Sequence, residues 1–211
     1  NSSAMTLLGT GDASPVGRVL TEVSPELGAL LDGEASEAVV QVTARGVPRD
    51  PQPAASQGLS VTRRYLTLAG ETANLAQVRQ NDRLIVSLSG RNLEGGYHEV
   101  ALLDLLPAGF EIESVLNEET AKSFPFLSKI TETRIAEARD DRFFASFNLG
   151  ERTYRTLWEE NRKFGNAYQL AYIVRAVTPG TFALPAANVS DMYAPRVYAR
   201  SAMGSLTVAP R

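Results

Sequence analysis

Apolar and polar residues alternate over several short stretches of the chain, with the period of two that is typical of half-buried β-strands. The clearest stretch is Ala167–Val177, and the same alternation occurs in Arg83–Gly90 and Arg142–Leu149. Five residues of the first stretch share one face: Tyr168, Leu170, Tyr172, Val174 and Ala176. Val100–Leu106 is almost continuously apolar, which is typical of a central strand covered on both faces.

Shorter stretches extend this pattern. Leu59–Leu68 begins in alternation but changes phase at Leu66, as a β-bulge would cause. Further strands are predicted at 110–115, 181–184 and 205–208, whereas the polar segment 117–135 is predicted as a long excursion from the sheets. About seven short strands separated by Pro and Gly turns predict a mainly β protein, an antiparallel sandwich of two sheets.

The N-terminal quarter differs from the rest. Residues 1–46 are weakly patterned and contain one convincing strand, Ala38–Thr43. Residues 47–58 follow with three prolines and a polar stretch, which predicts a connector. The chain therefore divides into an N-terminal β tail over 1–46, a Pro-rich connector over 47–58 and a sandwich over 59–211.

Composition excludes several classes of chemistry. The 211 residues contain no cysteine and one histidine, and the formal net charge is −3. Without cysteine, this chain holds no disulfide, no thiol nucleophile and no thiolate zinc site. The charge gives no reason to expect binding to nucleic acid or to an anionic membrane. No apolar run approaches the roughly 18 residues that a transmembrane helix needs.

The single histidine leaves one catalytic hypothesis open. His98 could serve as the general base of a hydrolase if the fold brought a serine and an acid close to it. The sequence contains no G-x-S-x-G motif to supply that serine. The alternative is a histidine on the surface or in a hairpin.

Aromatic residues suggest a second hypothesis of another class. Tyr154, Trp158 and Phe164 lie close together in the sequence. They could form a stacking platform for sugars in an adhesion or carbohydrate-binding sandwich. The alternative is that they fill the core or anchor a loop, which is the commoner role of aromatic side chains.

The stretch from Tyr172 to Pro195 is the most distinctive in the chain. Its pattern predicts a strand, a tight turn at Pro179-Gly180, a second strand and a rigid loop. The loop presents Met192 and Tyr193 after Asp191, and Pro195 restricts the backbone two residues later. A thioether beside an aromatic ring makes an adaptable apolar surface. The alternative is that both side chains cap the core of the sandwich.

This stretch, from Ala171 to Pro195, resembles the C-terminal macroglobulin-like domain of bacterial alpha-2-macroglobulins. Other segments agree in the same order along residues 58–208. They are Gly58-Leu-Ser-Val-Thr-Arg63-Arg-Tyr65, Asp104-Leu-Leu-Pro107-Ala-Gly109-Phe110-Glu111-Ile112-Glu113 and Ala138-Arg139-Asp140-Asp141-Arg142. Residues 1–46 look like the end of a preceding CUB-like module.

The resemblance implies a non-catalytic part of a protease trap, a broad-spectrum endopeptidase inhibitor. A peptidase cleaves a bait region in such a protein, and the protein then collapses around it. Many members carry a Cys–Gln thioester in a separate domain. The resemblance implies that Met192 and Tyr193, supported by Asp191 and Pro195, dock on that thioester domain of the same polypeptide and keep water from the thioester. Because this chain has no cysteine, it cannot supply the thioester itself.

The resemblance also carries expectations about the whole protein. Its partners would be the target proteases, and no nucleic acid, metal or cofactor is expected. It implies a location in the periplasm. It is compatible with a lipid anchor at the inner membrane and with a penicillin-binding protein as a periplasmic partner.

Overall fold

The computed structural model describes residues 51–152 and 162–211, which belong to one compact unit over residues 50–211. Within these residues the chain forms fifteen β-strands and one 3₁₀ helix at Thr120–Ser123. The strands are β1 Ala55–Gln57, β2 Thr62–Thr67, β3 Val78–Arg79, β4 Arg83–Arg91, β5 His98–Leu105, β6 Phe110–Leu116, β7 Ile135–Arg139, β8 Arg142–Leu149, β9 Glu151–Arg152, β10 Arg162–Lys163, β11 Ala167–Ala176, β12 Gly180–Leu184, β13 Ala187–Asp191, β14 Tyr198–Arg200 and β15 Gly204–Ala209.

Two antiparallel sheets form the sandwich. One has six strands in the order β1-β14-β13-β5-β8-β7, and the other has four in the order β2-β4-β11-β6. A smaller sheet has the order β12-β15-β3, with β15 parallel to β3, and β9 pairs with β10. The predicted fold class, a mainly β antiparallel sandwich, is confirmed.

The core lies between the two large sheets. The predicted inward face of β11 is correct, since its five residues are at most 3% exposed. Tyr172 packs on Phe143 of β8 with ring centroids 4.8 Å apart, and Tyr168 packs on Phe147 at 4.9 Å. Such aromatic pairs contribute about 0.5–1.5 kcal/mol each beyond the area that they bury. The alternation of aromatic and aliphatic residues in β8 and β11 thus produces the contact that joins the sheets.

The outer face of the four-stranded sheet is also covered. A second apolar cluster joins Ile85 and Ile173 of the sheet to Ala121 and Ile130, with Phe124 and Leu127 packed against it. The segment 117–135, predicted as an excursion from the sheets, thus packs on this face and ends where β7 begins. For this reason β4 and β11 are apolar on both sides.

The β-bulge predicted in 59–68 is wrong. Thr62–Thr67 pairs with β4 in a regular register. Tyr65 and Leu66 are each 6% exposed, Tyr65 in the main core and Leu66 in the outer cluster. Leu66 interrupts the alternation because both faces of this sheet are covered, not because the strand is irregular.

Some strands carry too weak a pattern to be predicted. Residues 55–57, predicted as connector, form β1 and pair with β14. Strand β13 has one β-branched residue, Val189, yet it pairs with β14 on one side and β5 on the other.

The predicted tail over 1–46, with its strand Ala38–Thr43, lies outside the described residues, and the domain division stays a prediction. In the described part of the chain, no helix is both long and apolar enough to span a membrane.

A buried ion pair joins the two large sheets. Arg63 of β2 donates from one terminal nitrogen to Asp104 Oδ1 of β5 at 2.5 Å, and from the other to the Pro185 carbonyl at 2.6 Å. Tyr172 of β11 donates to Asp104 Oδ2 at 2.8 Å. The side chains of Arg63 and Asp104 are 4% and 0% exposed. Both carboxylate oxygens thus have partners, as a buried charge requires.

Burial dominates the electrostatics of this group. It raises the pKa of the Asp104 carboxyl, while the charge of Arg63 and the hydroxyl of Tyr172 act in the opposite direction. Burial together with the charge of Asp104 raises the pKa of Tyr172 well above its usual range. Tyr172 therefore remains a neutral donor to Asp104.

Replacing Arg63 by methionine tests this description. We expect a loss of about 3–5 kcal/mol in the free energy of unfolding at neutral pH, because the buried carboxylate loses its counter-charge. Without Arg63 the pKa of Asp104 rises further above its unfolded value of about 3.9, so stability falls as the pH rises through this range. The loss should therefore be smaller at pH 5 than at pH 7, as measured by urea denaturation.

Arg83→Met is the matched control. Arg83 Nε lies 2.5 Å from Glu113 Oε2, but the two side chains are 48% and 30% exposed. We expect this variant to lose less than about 1 kcal/mol. An equal loss for Arg63→Met at pH 5 and pH 7 would contradict the assignment of Asp104 as the unpaired charge.

Candidate functional site

The segment of residues 191–197, which follows β13, is the site that the sequence singled out. Asp191 Oδ1 accepts hydrogen bonds from the main-chain N–H groups of Tyr193 and Ala194, both at 2.7 Å. This is the Asx-turn geometry for which Asp is favoured, because a short carboxylate reaches amides two and three residues ahead. Asp191 thus fixes the start of the 191–197 loop.

Main-chain hydrogen bonds fix the remainder of this loop. Met192 N–H donates to the Glu99 carbonyl at 2.8 Å, and Asp191 N–H donates to the Val197 carbonyl at 2.9 Å. Val197 N–H donates to the Ala194 carbonyl at 2.8 Å, which closes a turn with Pro195 in its second position. This position of a turn favours proline, because the proline ring already holds the φ angle that the turn needs. The loop is thus tied to β5 and closed on itself.

Met192 and Tyr193 do not cap the core of the sandwich. Their exposures are 42% and 80%, and Tyr193 has the highest value among the exposed large apolar residues of the described chain. Asp191, by contrast, is 6% exposed. The buried residue of this short sequence thus holds the loop, and the two apolar residues face outward.

His98 lies next to Asp191 at the start of β5. Its Nδ1 is 2.8 Å from Asp191 Oδ2, and its Nε2 is 2.8 Å from the Gly95 carbonyl oxygen. The side chain is 10% exposed, so the prediction of a surface histidine is wrong. A hydrolase would need a nucleophile's hydroxyl at one ring nitrogen. Both nitrogens instead face an acceptor, which leaves no place for one.

The segment of residues 92–97 packs beside the 191–197 loop. Asn92 Oδ1 accepts from the N–H groups of Glu94 and Gly95 at 3.2 and 3.0 Å, and Asn92 Nδ2 donates to the Gly96 carbonyl at 3.1 Å. Gly95 and Gly96 have φ angles of +81° and +75°, which residues other than glycine rarely adopt. Glu94 pairs with Arg196 of the loop at 3.4 Å.

The other predicted sites fare differently. Tyr154 and Trp158 lie outside the described residues, so the sugar platform stays a prediction. Phe164 packs on Tyr97 with ring centroids 5.9 Å apart. Among residues 51–152 and 162–211, no group of three or more His, Cys, Asp or Glu side chains is placed to hold a metal ion.

The contact between His98 and Asp191 was missed from the sequence, although part of its signal is present. In β5, His98, Val100, Leu102 and Asp104 are all buried, so extending the alternation back from Val100 places His98 inside. What the sequence did not reveal is the pairing of β5 with β13, which sets Val100 opposite Asp191.

Comparison with known proteins identifies the family. The family described as "Bacterial Alpha-2-macroglobulin MG10 domain" matches residues 58–196. The chain belongs to this family. The resemblance stated from the sequence is thereby confirmed, and the match includes Met192, Tyr193 and Pro195.

The relatives of this MG10 domain are alpha-2-macroglobulins. An alpha-2-macroglobulin of Xylella fastidiosa (strain Temecula1) is 30% identical over 159 residues, which are 71% of this chain and 9% of that protein. The structure of Salmonella alpha-2-macroglobulin reacted with methylamine matches 78% of this chain and 10% of its own, at 29% identity and a TM-score of 0.63. Escherichia coli alpha-2-macroglobulin activated by porcine elastase matches at 28% identity and a TM-score of 0.63, over 78% and 14% of the two chains. The chain thus spans about a tenth of the length of these relatives.

Replacing Asp191 by alanine tests how the loop is held. Two hydrogen bonds of about 1 kcal/mol each are lost, so the amides of Tyr193 and Ala194 should exchange with solvent about tenfold faster or more. Amide hydrogen exchange followed by NMR measures this.

Asn117→Ala is the matched control. Asn117 Oδ1 accepts from the N–H groups of Glu119 and Thr120 at 3.0 and 2.9 Å, which is the same arrangement in another loop. This variant should accelerate exchange at Glu119 and Thr120 and leave the 191–197 loop unchanged. Unchanged exchange at Tyr193 in Asp191→Ala would show that the carboxylate does not hold the loop.

Proposed function

We propose that this MG10 domain docks on a thioester domain of the same polypeptide through Met192 and Tyr193. In the docked state the two side chains keep water and small amines away from the thioester until a protease cleaves the bait region. The whole protein is then a broad-spectrum endopeptidase inhibitor, and this domain contributes no catalytic group to it.

The observation that carries the proposal is the exposure of an apolar pair on a fixed loop. An 80% exposed tyrosine is well suited to an interface, since a large flat ring loses little conformational entropy on binding. The hydrogen bonds to Asp191 and Glu99 hold the loop before docking, so little further ordering is needed.

The chemistry of the relatives agrees with this role. One relative is described as reacted with methylamine and another as activated by elastase. A thioester reacts with an amine to give an amide and a free thiol, and with water it gives a carboxylic acid and the same free thiol. Shielding is therefore needed for as long as the protein waits for a protease. Since this chain has no cysteine, the thioester would lie elsewhere in the polypeptide.

Bait cleavage acts through conformation in this proposal. Docking on a small loop surface is held by a few side chains, so a rearrangement of neighbouring domains is enough to displace it. The protease itself need not touch the MG10 domain. A periplasmic location, a lipid anchor at the inner membrane and a penicillin-binding protein as partner remain predictions from the family resemblance.

Tyr193→Ala in the full-length gene product tests the proposal. Loss of a tyrosine anchor at the centre of an interface costs about 2 kcal/mol, so methylamine incorporation into the uncleaved protein should accelerate about tenfold or more. Met192→Ala should act in the same direction. Incorporation is measured by mass spectrometry and by the thiol that is released, which cannot come from this cysteine-free domain.

Phe126→Ala is the matched control. Phe126 is an aromatic residue with 38% exposure. Its ring packs beside Gly70, which follows the C-terminal end of β2. We expect its rate of incorporation to equal that of the unmodified protein. Equal rates for Tyr193→Ala and Phe126→Ala would overturn the shielding role, as would the absence of any Cys-x-Glu-Gln motif from the gene.

A further inference from the structure

The imidazole of His98 is enclosed by two hydrogen-bond acceptors. Nδ1 faces the Asp191 carboxylate and Nε2 faces the Gly95 carbonyl, each at 2.8 Å. A carbonyl oxygen cannot donate. Asp191 Oδ1 already accepts two main-chain N–H groups, which is the hydrogen-bond pattern of an ionised carboxylate. Only an imidazole with protons on both nitrogens can donate to both acceptors.

The two oxygens of Asp191 divide their partners between the loop and His98. Oδ1 holds the N–H groups of Tyr193 and Ala194, and Oδ2 faces His98. Rotation of the carboxylate about its Cβ–Cγ bond would break both loop hydrogen bonds together. A donor on Oδ2 prevents this rotation, so His98 acts on the loop through Asp191.

The other contact of His98 anchors it to a rigid segment. The Gly95 carbonyl belongs to residues 92–97, which Asn92 holds through three hydrogen bonds. His98 therefore links this segment to the 191–197 loop. Glu94 and Arg196 link the same two segments at the surface, but that pair is largely exposed.

We propose that doubly protonated His98 is the positioning residue of the Met192–Tyr193 docking surface. It donates to Asp191 and to Gly95 at once and so keeps the loop in the conformation that docks. The inference deepens the proposed function, since it concerns the same surface. It predicts that the loop loosens when either ring nitrogen of His98 no longer donates to its acceptor.

Among residues 51–152 and 162–211, Asp191 is the ionic partner that contacts the His98 ring. From β13, His98 faces Asp191, and from β8 it pairs with Leu149, which carries no charge. The 92–97 segment contributes Glu94, whose carboxylate is directed to Arg196. Glu99, the next residue of β5, contacts Arg134 at 3.0 Å.

The first experiment uses the 211-residue chain, in which His98 is the single histidine. Long-range ¹H–¹⁵N NMR spectra of the imidazole report the protons on each ring nitrogen without ambiguity. We expect both nitrogens to be protonated wherever the amides of Tyr193 and Ala194 are protected. Across a pH series, any loss of the second proton and a fall of at least tenfold in their protection factors should occur together.

The amides of Glu119 and Thr120 serve as the internal control, since Asn117 holds them without a titratable group. Their protection factors should not change over the same pH range. A neutral imidazole in a chain whose Tyr193 and Ala194 amides remain protected would overturn the inference.

The second experiment compares variants at one pH. His98→Phe keeps a ring but removes both donors, and His98→Gln keeps a side chain that can donate to one acceptor at a time. We expect protection at Tyr193 and Ala194 to fall at least tenfold in the first variant and less in the second. Tyr168→Phe is the control, because it removes a hydrogen bond from the same core, to the Ser60 carbonyl at 2.9 Å, and leaves the hydrogen bonds of Asp191 and Gly95 in place.

A third measurement separates this inference from the proposed function. In the full-length gene product, His98→Phe should accelerate methylamine incorporation several-fold, as Tyr193→Ala does. If both leave incorporation unchanged while His98→Phe still loosens the loop, the positioning role stands and the shielding role fails. If His98→Phe leaves the loop amides protected, the positioning role fails whatever Tyr193→Ala does.

Discussion

The burial of one charge pair constrains the arrangement of the whole sandwich. Asp104 is fully buried between the sheets, and a carboxylate in that position is tolerated only when its partners are in place. Arg63 and Tyr172, both from the opposite sheet, supply them. Arg63 also binds the Pro185 carbonyl, which lies two residues before β13. The pair therefore fixes the register of the sheets and the point from which β13 starts.

Strand β13 connects this ion pair to the candidate site. β13 runs antiparallel to β5, with Ala187 opposite Asp104 and Asp191 opposite Val100. Each end of this strand pair thus holds a buried acid with a basic partner: Asp104 with Arg63, and Asp191 with His98. The two basic partners differ in kind. Arg63 keeps its charge at any physiological pH, whereas an imidazole changes its charge within that range. Arg63 thus pairs with the acid at the deep end of the strand pair, and His98 contacts the acid at the end beside the loop.

Much of this could be predicted from the sequence, and the failures have physical reasons. Alternation found β4, β8 and β11, and an almost continuous apolar run found β5, because each strand has at least one buried face that must be apolar. It misjudged Leu66, since a sheet covered on both faces gives no alternation to follow. It missed β13, whose stability comes from neighbours on both sides rather than from its own residues. The loop with Met192 and Tyr193 was predicted from the pattern of its own stretch, and the family resemblance added its docking role. The contact of His98 with Asp191 was not predicted, because it depends on which strands become neighbours.

The order of the strands has a consequence for how the chain folds. β1 pairs with β14, and β3 pairs with β15, so each of these pairings joins residues from nearly opposite ends of the described chain. Pairings so distant in sequence raise contact order and slow folding, because a long loop must close before any hydrogen bond forms. Until they form, β14 and β15 each lack a neighbour and expose an open edge, which is the usual starting point of aggregation. The domain should thus be most prone to aggregation while these distant pairings have yet to form.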